Sequence, residues 1–201
     1  SQSAAMIRSM SGSGKSIASI GWDSEKNIIY FGMNSLFQNE DKLNNKAEYE
    51  YGFSLEKWDY IRNIKKENIS EAITELKSLT LDGFMKTKLQ IRKDSQVIRE
   101  IFHGYDEADL IKSYSFSPDK RFVAIGSNFS LALYDTETGR IHRSLFGHTG
   151  EVWSLVFSPD SKYLASCGTD QTIRLWSTET GELLANFFFT VKREWVAWTR
   201  G

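Results

Sequence analysis

The stretch SGSGKS at residues 11 to 16 carries residue types that could bind phosphate. A phosphate-binding loop needs G-x-x-x-x-G-K-[ST] between a strand and a helix, so that backbone N–H groups and the lysine surround the anion. Gly14, Lys15 and Ser16 match the second half of that pattern. Its first glycine falls on Ser9, where the backbone has to turn without a Cβ. The following SIASIGW alternates with period two, as a strand does, and lacks the amphipathic helix that such a loop feeds. The stretch reads as a corner leading into a strand; ATP hydrolysis through Gly14-Lys15-Ser16 would instead require ATP to protect this loop.

Other chemistry is equally sparse. One cysteine, Cys167, allows no internal disulfide and no cysteine-based zinc cluster, and His103, His142 and His148 lack metal-ligand spacing. No metal site and no cofactor are expected. Twenty-five basic residues against 26 acidic ones leave a net charge of -1, which gives no field for nucleic acid or an anionic membrane. No apolar run approaches the roughly 18 residues of a membrane span, and SQSAAMIRSM has no long apolar core of a signal peptide. A cytoplasmic protein is expected. The missing initiator methionine reads as a segment lifted from a longer chain.

The elements that would position any site come from an internal repeat. FSPDKRFVAIGSNFSLALYDTETG, from Phe116, aligns with FSPDSKYLASCGTDQTIRLWSTETG, from Phe157. Each copy alternates with period two, is rich in β-branched and aromatic residues, and is broken by Ser-Pro-Asp or Thr-Gly turn signals. The second copy predicts strands near Val152–Phe157, Tyr163–Cys167, Thr172–Trp176 and Leu183–Phe189. The first predicts Ile111–Phe116, Phe122–Ile125, Leu131–Tyr134 and Ile141–Phe146. Four strands in about 40 to 45 residues is the pattern of a propeller blade, so the fold class is all-β.

The stretch GHTGEVWSLVFSPDSKYLASCGTDQTIRLW closely resembles the WD40 family: Gly147-His148 at the corner before the first strand, Asp170 in the turn before the third, and Trp176 at that strand's end. The resemblance implies that His148, Ser166, Asp170 and Trp176 form a buried structural hydrogen-bonded chain. Histidine, aspartate and serine could also suggest a hydrolase triad, but no G-x-S-x-G elbow is present and the spacing is that of the blade. No catalytic residue is expected, and the protein reads as no enzyme.

In ungapped register with this blade, Gly12 falls on Gly147, Ser13 on His148, Ile17 on Val152 and Trp22 on Phe157. The resulting organisation is an orphan outer strand in 1–10, a first blade over 11–66 with a polar, solvated insertion at 34–46, a degenerate second blade over 67–104, a third over 105–148, a fourth over 149–190, and the first strand of a further blade in 191–201. The second blade is open to two readings. NISEAITELKSL puts Ile69, Ala72, Ile73, Leu76 and Leu79 at helical spacing, while a strand pair from Ile73 to Met85 would turn at Asp82-Gly83. The resemblance favours the strands, since a blade needs an inner one here. In the third blade Asn128 stands for the turn aspartate, Tyr134 for the tryptophan, and His103-Gly104 for the Gly-His corner, so its polar chain reads as broken. WVAWT resembles a stretch near the end of some bacterial WD40 propellers.

About four blades with an orphan strand at each end fall short of the family's usual seven. An open arc would expose two apolar faces, to be covered by more of a longer chain, another subunit, or a second copy completing the ring as a homodimer. The resemblance implies a non-catalytic scaffold that binds a protein or peptide, with Glu151, Trp153 and Thr169 in the fourth blade and Lys15 and Ala18 in the first at the contact face; Trp153 reads equally as packing between blades. The alternative is the regulatory or sensor propeller of a larger multidomain enzyme, protease-like, kinase-like or ATPase, whose catalytic domain lies outside this chain.

Overall fold

In the computed structural model, residues 16–23, 25–33, 49–61, 68–103, 109–128, 130–190 and 192–199 are described. The SGSG corner with Lys15, the strand expected in 1–10 and the insertion at 34–46 lie outside them. The chain is all-β, with no helix among the described residues, and therefore none long and apolar enough to cross a membrane.

The repeat builds two sheets by the same local chemistry. In the fourth sheet, β14 (Val152–Phe157), β15 (Tyr163–Gly168), β16 (Thr172–Ser177) and β17 (Leu183–Phe189) follow one another as antiparallel neighbours. The third contains β10 (Ser113–Phe116), β11 (Phe122–Gly126), β12 (Leu131–Asp135) and β13 (Ile141–Ser144) in the same order. Each Ser-Pro-Asp turn closes on its own side chains. Ser158 Oγ donates to Asp160 Oδ1 at 2.6 Å and accepts from the Tyr163 N–H at 3.0 Å, and Ser117 does the same with Asp119 and Phe122 at 2.6 and 2.9 Å. These are local side-chain-to-backbone bonds of the kind that set turns. In the second turn of each repeat Gly139 and Gly181 take φ of 69° and 75°, left-handed values that cost glycine little.

The first sheet carries β1 (Ser19–Asp23), β2 (Ile28–Gly32), β3 (Tyr51–Ser54) and β4 (Asp59–Tyr60). A strand, not a helix, follows SGSGKS. Trp22 pairs with Ile29 as Phe157 pairs with Leu164, and the Ile17 N–H reaches Gly168 O as the Val152 N–H reaches Ser127 O, at 3.1 and 2.8 Å.

Between the first and second sheets the helical reading fails. β5 (Ile69–Ser70) pairs with β1, and Ile73 bridges to Phe116 of β10. The second sheet then runs β6 (Glu75–Leu76), β7 (Leu79–Asp82), β8 (Lys88–Lys93) and β9 (Gln96–Phe102). A helix would put Ile69 and Ile73 on one face; here they complete the edges of two different sheets, whose backbone groups need partners. The turn also differs from the expected Asp82-Gly83: it lies at Lys77-Ser78, with Lys77 at φ 55°.

Packing orders the sheets second, third, fourth, first. Leu89, Ile91 and Ile101 of the second meet Val123, Ile125 and Ala132 of the third. Ala124 and Leu133 of the third meet Leu155, Leu164 and Trp176 of the fourth. The other face of the fourth, with Phe187 and Phe189, meets Trp22, Phe31 and Phe53 of the first. Phe53 lies 5.6 and 5.3 Å from Phe187 and Phe189, centroid to centroid. Each such buried phenyl group contributes about 1.5–3 kcal/mol relative to exposure.

Two expectations are corrected here. Trp195–Trp198 does not open a new blade: as β18 it pairs with β17 and becomes the fifth strand of the fourth sheet. The Thr190 N–H donates to Glu194 O at 2.9 Å and the Arg193 N–H to Thr190 O at 3.0 Å just before it, and the Trp195 ring reaches Phe53 at 5.1 Å. Nor do the two end faces present bare apolar sheet. The free face of the second sheet mixes Lys88, Gln90, Arg92 and Glu100 with the exposed Val97 and Phe102, with Lys88 to Glu100 at 2.8 Å and Gln90 to Glu100 at 2.7 Å. On the first sheet Ile28 and Tyr30 lie under Tyr49, Ile61 and Ile69.

Candidate functional site

The corner before β14, the middle of β15, the turn after it and the end of β16 bring His148, Ser166, Asp170 and Trp176 together. The Trp176 Nε1–H donates to Ser166 Oγ at 2.9 Å. Ser166 Oγ lies 2.8 Å from His148 Nε2, and His148 Nδ1 lies 2.8 Å from Asp170 Oδ2. The donor sequence closes with a neutral histidine protonated on Nδ1, which is the tautomer that lets Ser166 donate to Nε2. Burial lowers the His148 pKa against the opposing pull of Asp170. Burial alone would raise that of Asp170, but hydrogen bonds from His148 and Thr172 hold it well below the usual carboxylate range.

Asp170 is the hub: it also accepts from the backbone N–H groups of Thr149 and Thr172, at 3.2 and 3.1 Å, and from the Thr172 hydroxyl at 2.8 Å, with Arg174 Nη2 at 3.5 Å. The connectivity is that of a Ser-His-Asp triad, yet Ser166 is fully buried and its oxygen already accepts from Trp176. A nucleophile must be reachable; this serine is not.

The third sheet holds a polar network after all, built differently. The Tyr134 hydroxyl lies 2.9 Å from His103 Nδ1, and His103 Nε2 lies 2.9 and 3.2 Å from the hydroxyls of Ser130 and Ser127. Asp109 supplies the carboxylate that Asn128 lacks, accepting from Ser130 Oγ at 3.1 Å and from the Asn128 N–H at 3.0 Å. Burial pushes the His103 pKa down to about 4. No linear spacing marks Asp109; it enters from the segment leading into β10.

A third cluster lies where the inner strands begin, and three sheets contribute to it. Lys112, at the start of β10, is buried, with Nζ 3.2 Å from Glu151 Oε1, 3.5 Å from Met85 Sδ and 5.0 Å from the centre of the Trp153 ring. Glu151 is held by Thr169, whose Oγ1 accepts its N–H at 2.8 Å. Trp153 is half-buried beside Lys112, and its Nε1–H has no partner among the described residues. Phe84 and Met85 stand 46 % exposed on the turn after β7. Glu151, Trp153 and Thr169 thus come together; Ala18 sits at the start of the first sheet's inner strand, half-buried, and Lys15 is outside the described residues. Lys112 and Met85 carry no sequence signal, since a lone lysine before a strand reads as solvated. At the opposite end of the same strands, residues 69–73 cross from β1 to β10.

No group of three or more metal-ligating side chains occurs among the described residues. Residues 139–177 match the family described as "WD domain, G-beta repeat". The chain is 34% identical over 125 residues, 55% of its own length, to the serine-threonine kinase receptor-associated protein of Homo sapiens, and covers 36% of it. It is 36% identical over 110 residues to transcription initiation factor TFIID subunit 5 of Drosophila melanogaster, covering 13% of that protein, and 35% identical over 86 residues to actin-interacting protein 1 of the same organism, covering 14%. The chain therefore spans about a third or less of these relatives. Sequence and fold agree on one statement: residues 139–177 match a WD40 repeat, in an all-β chain whose four antiparallel sheets are built as WD40 propeller blades are.

Proposed function

We propose that this chain is a non-catalytic WD40 interaction module that binds a protein or peptide at the end of the axis where its inner strands begin. The observation that carries the reading is the convergence of Met85, Lys112, Glu151 and Trp153 from three sheets, while 69–73 crosses the other end. Exposed methionine and aromatic groups beside a partly exposed ion pair make an adaptable docking surface. Two of the relatives are described by their names as associating with another protein, which supports the same partner class. His148, Ser166, Asp170 and Trp176 serve the fold, and the cytoplasm is the proposed compartment, on the support of a single buried thiol at Cys167.

A displayed random-heptapeptide library panned on the full chain tests this. Enriched peptides should lose at least tenfold in affinity against Met85→Ala with Trp153→Ala, and keep it against Glu71→Ala on the crossing segment. Enriched peptides indifferent to the first pair would place recognition elsewhere. A second copy completing the ring across the gap between the first and second sheets, one of three ways to close it beside more of a longer chain and another subunit, would give about 46 kDa by light scattering, twice the 23.0 kDa chain.

A further inference from the structure

Away from the axis, between the outer strand β13 and the fourth sheet, lies a cavity of about 180 Å3 lined by Ser144, Phe146, Trp176, Gly181, Glu182 and Leu183. Its inner wall is apolar, because Trp176 and Leu183 belong to the core between the third and fourth sheets. Phe146 stands at its edge, 69 % exposed, beside the buried Leu145. Across from it the Thr-Gly turn sets Glu182: the Gly181 N–H donates to Ser177 O at 2.9 Å and the Glu182 N–H to Thr180 Oγ1 at 3.2 Å. The Glu182 carboxylate has no ion-pair partner among the described residues. Nearby Arg143 does not supply one, since its Nε and Nη1 donate to the main-chain oxygens of Thr180 and His142 at 3.1 and 2.8 Å.

Size and charge together narrow the occupant. Sites for cofactors and drug-sized ligands run to about 300–1,000 Å3, so this cavity takes a single side chain. Its one ionisable lining group is the carboxylate of Glu182, an exposed residue at the rim, which repels anions and favours a cation over an uncharged guest. A cation on an aliphatic stem meets both walls, the stem against Leu183 and Trp176 and the charge between Glu182 and the face of Phe146.

We infer that this cavity receives a lysine or arginine side chain of a bound polypeptide, with Glu182 as the residue that selects it. The site stands on β13 and the start of β17, not on the inner strands, so it does not depend on the axial surface being the main docking face.

The test is an NMR titration of the full chain with Nα-acetyl-lysine methylamide, beside its norleucine analogue, which has the stem without the charge. The lysine compound should shift the amides of Ser144, Phe146 and Glu182 in a saturable way and bind at least fivefold more tightly than the norleucine one. Glu182→Gln should abolish that preference, while Glu179→Gln, whose carboxylate faces Arg121 at 3.6 Å, should leave it. Equal effects of the two compounds, or no shift at these amides, overturn the assignment.

Discussion

The hydroxyl of Tyr134 lies 2.9 Å from Nδ1 of His103, and this contact stands in the third sheet where Trp176 and Ser166 stand in the fourth. Ile125 occupies the strand position matching Ser166, so an indole there would find no hydroxyl to receive its proton. Tyrosine reaches the imidazole directly instead. Tyr134→Phe should therefore cost about 1–3 kcal/mol, the range for leaving a buried polar group unsatisfied, as read from urea denaturation. Tyr134→Trp alone should be no better than Phe, whereas Tyr134→Trp with Ile125→Ser should recover part of the loss. Equal stability of Tyr134→Phe and the parent would remove the network's structural role.

The two buried histidines make stability depend on pH in a definite direction. Folding lowers the pKa of His103 from 6.5 to about 4, and that of His148 moves the same way, both through burial. Below about pH 6.5 the unfolded chain takes up protons that the folded chain refuses, so stability falls as pH drops. For His103 the loss accumulates between pH 6.5 and about 4 and is on the order of 3 kcal/mol. Asp170 adds its own loss lower down, because its folded pKa is depressed: its contribution is full above the ordinary carboxylate value and disappears as pH falls further. Melting temperature should thus decline steadily from pH 7 to pH 4, and His103→Gln should flatten the upper part of that decline, even if it lowers the plateau.

How far these features were legible depends on whether local residues or distant ones set them. The third and fourth sheets could be read directly, since each turn satisfies its own backbone: Ser117 with Asp119, Ser158 with Asp160. The fourth sheet's polar chain was legible only through the resemblance to the WD40 family, carried over position by position onto His148, Ser166, Asp170 and Trp176. Ile69 and Ile73 kept a helical reading open beside the strands because their helical spacing arises from two residues serving two sheets. WVAW announced a strand but not its neighbour, which the short turn before it decides. Asp109 and Lys112 were silent because their partners, Ser130 and Glu151, sit 21 and 39 residues away.

Gly168 ends β15 against the neighbouring corner, and a Cβ there would run into the carbonyl oxygen of Glu151. Backbone cannot yield as a side-chain tip can. Gly168→Ala should cost about 1–3 kcal/mol or more and displace Glu151, so that the peptide binding proposed for the axial surface weakens beyond what the stability loss explains. Binding measured well below the melting transition separates the two effects; unchanged stability would show that the corner is softer than its hydrogen bonds suggest.

The crossing segment offers the sharpest local readout. Ile73 gives its N–H to Ser115 Oγ at 2.8 Å and receives the Phe116 N–H on its carbonyl at 2.8 Å. These two bonds tie 69–73 to the edge of β10. Proline at 73 removes the donor and constrains the preceding residue to extended geometry, leaving the buried Ser115 hydroxyl without its donor. Ile73→Pro should destabilise the chain by about 1–3 kcal/mol and speed hydrogen exchange at the Phe116 amide well above that at Val123, which pairs within the sheet. Unequal exchange would show that the segment opens on its own while the sheets stay packed; equal acceleration would mean that the crossing and the core unfold as one unit.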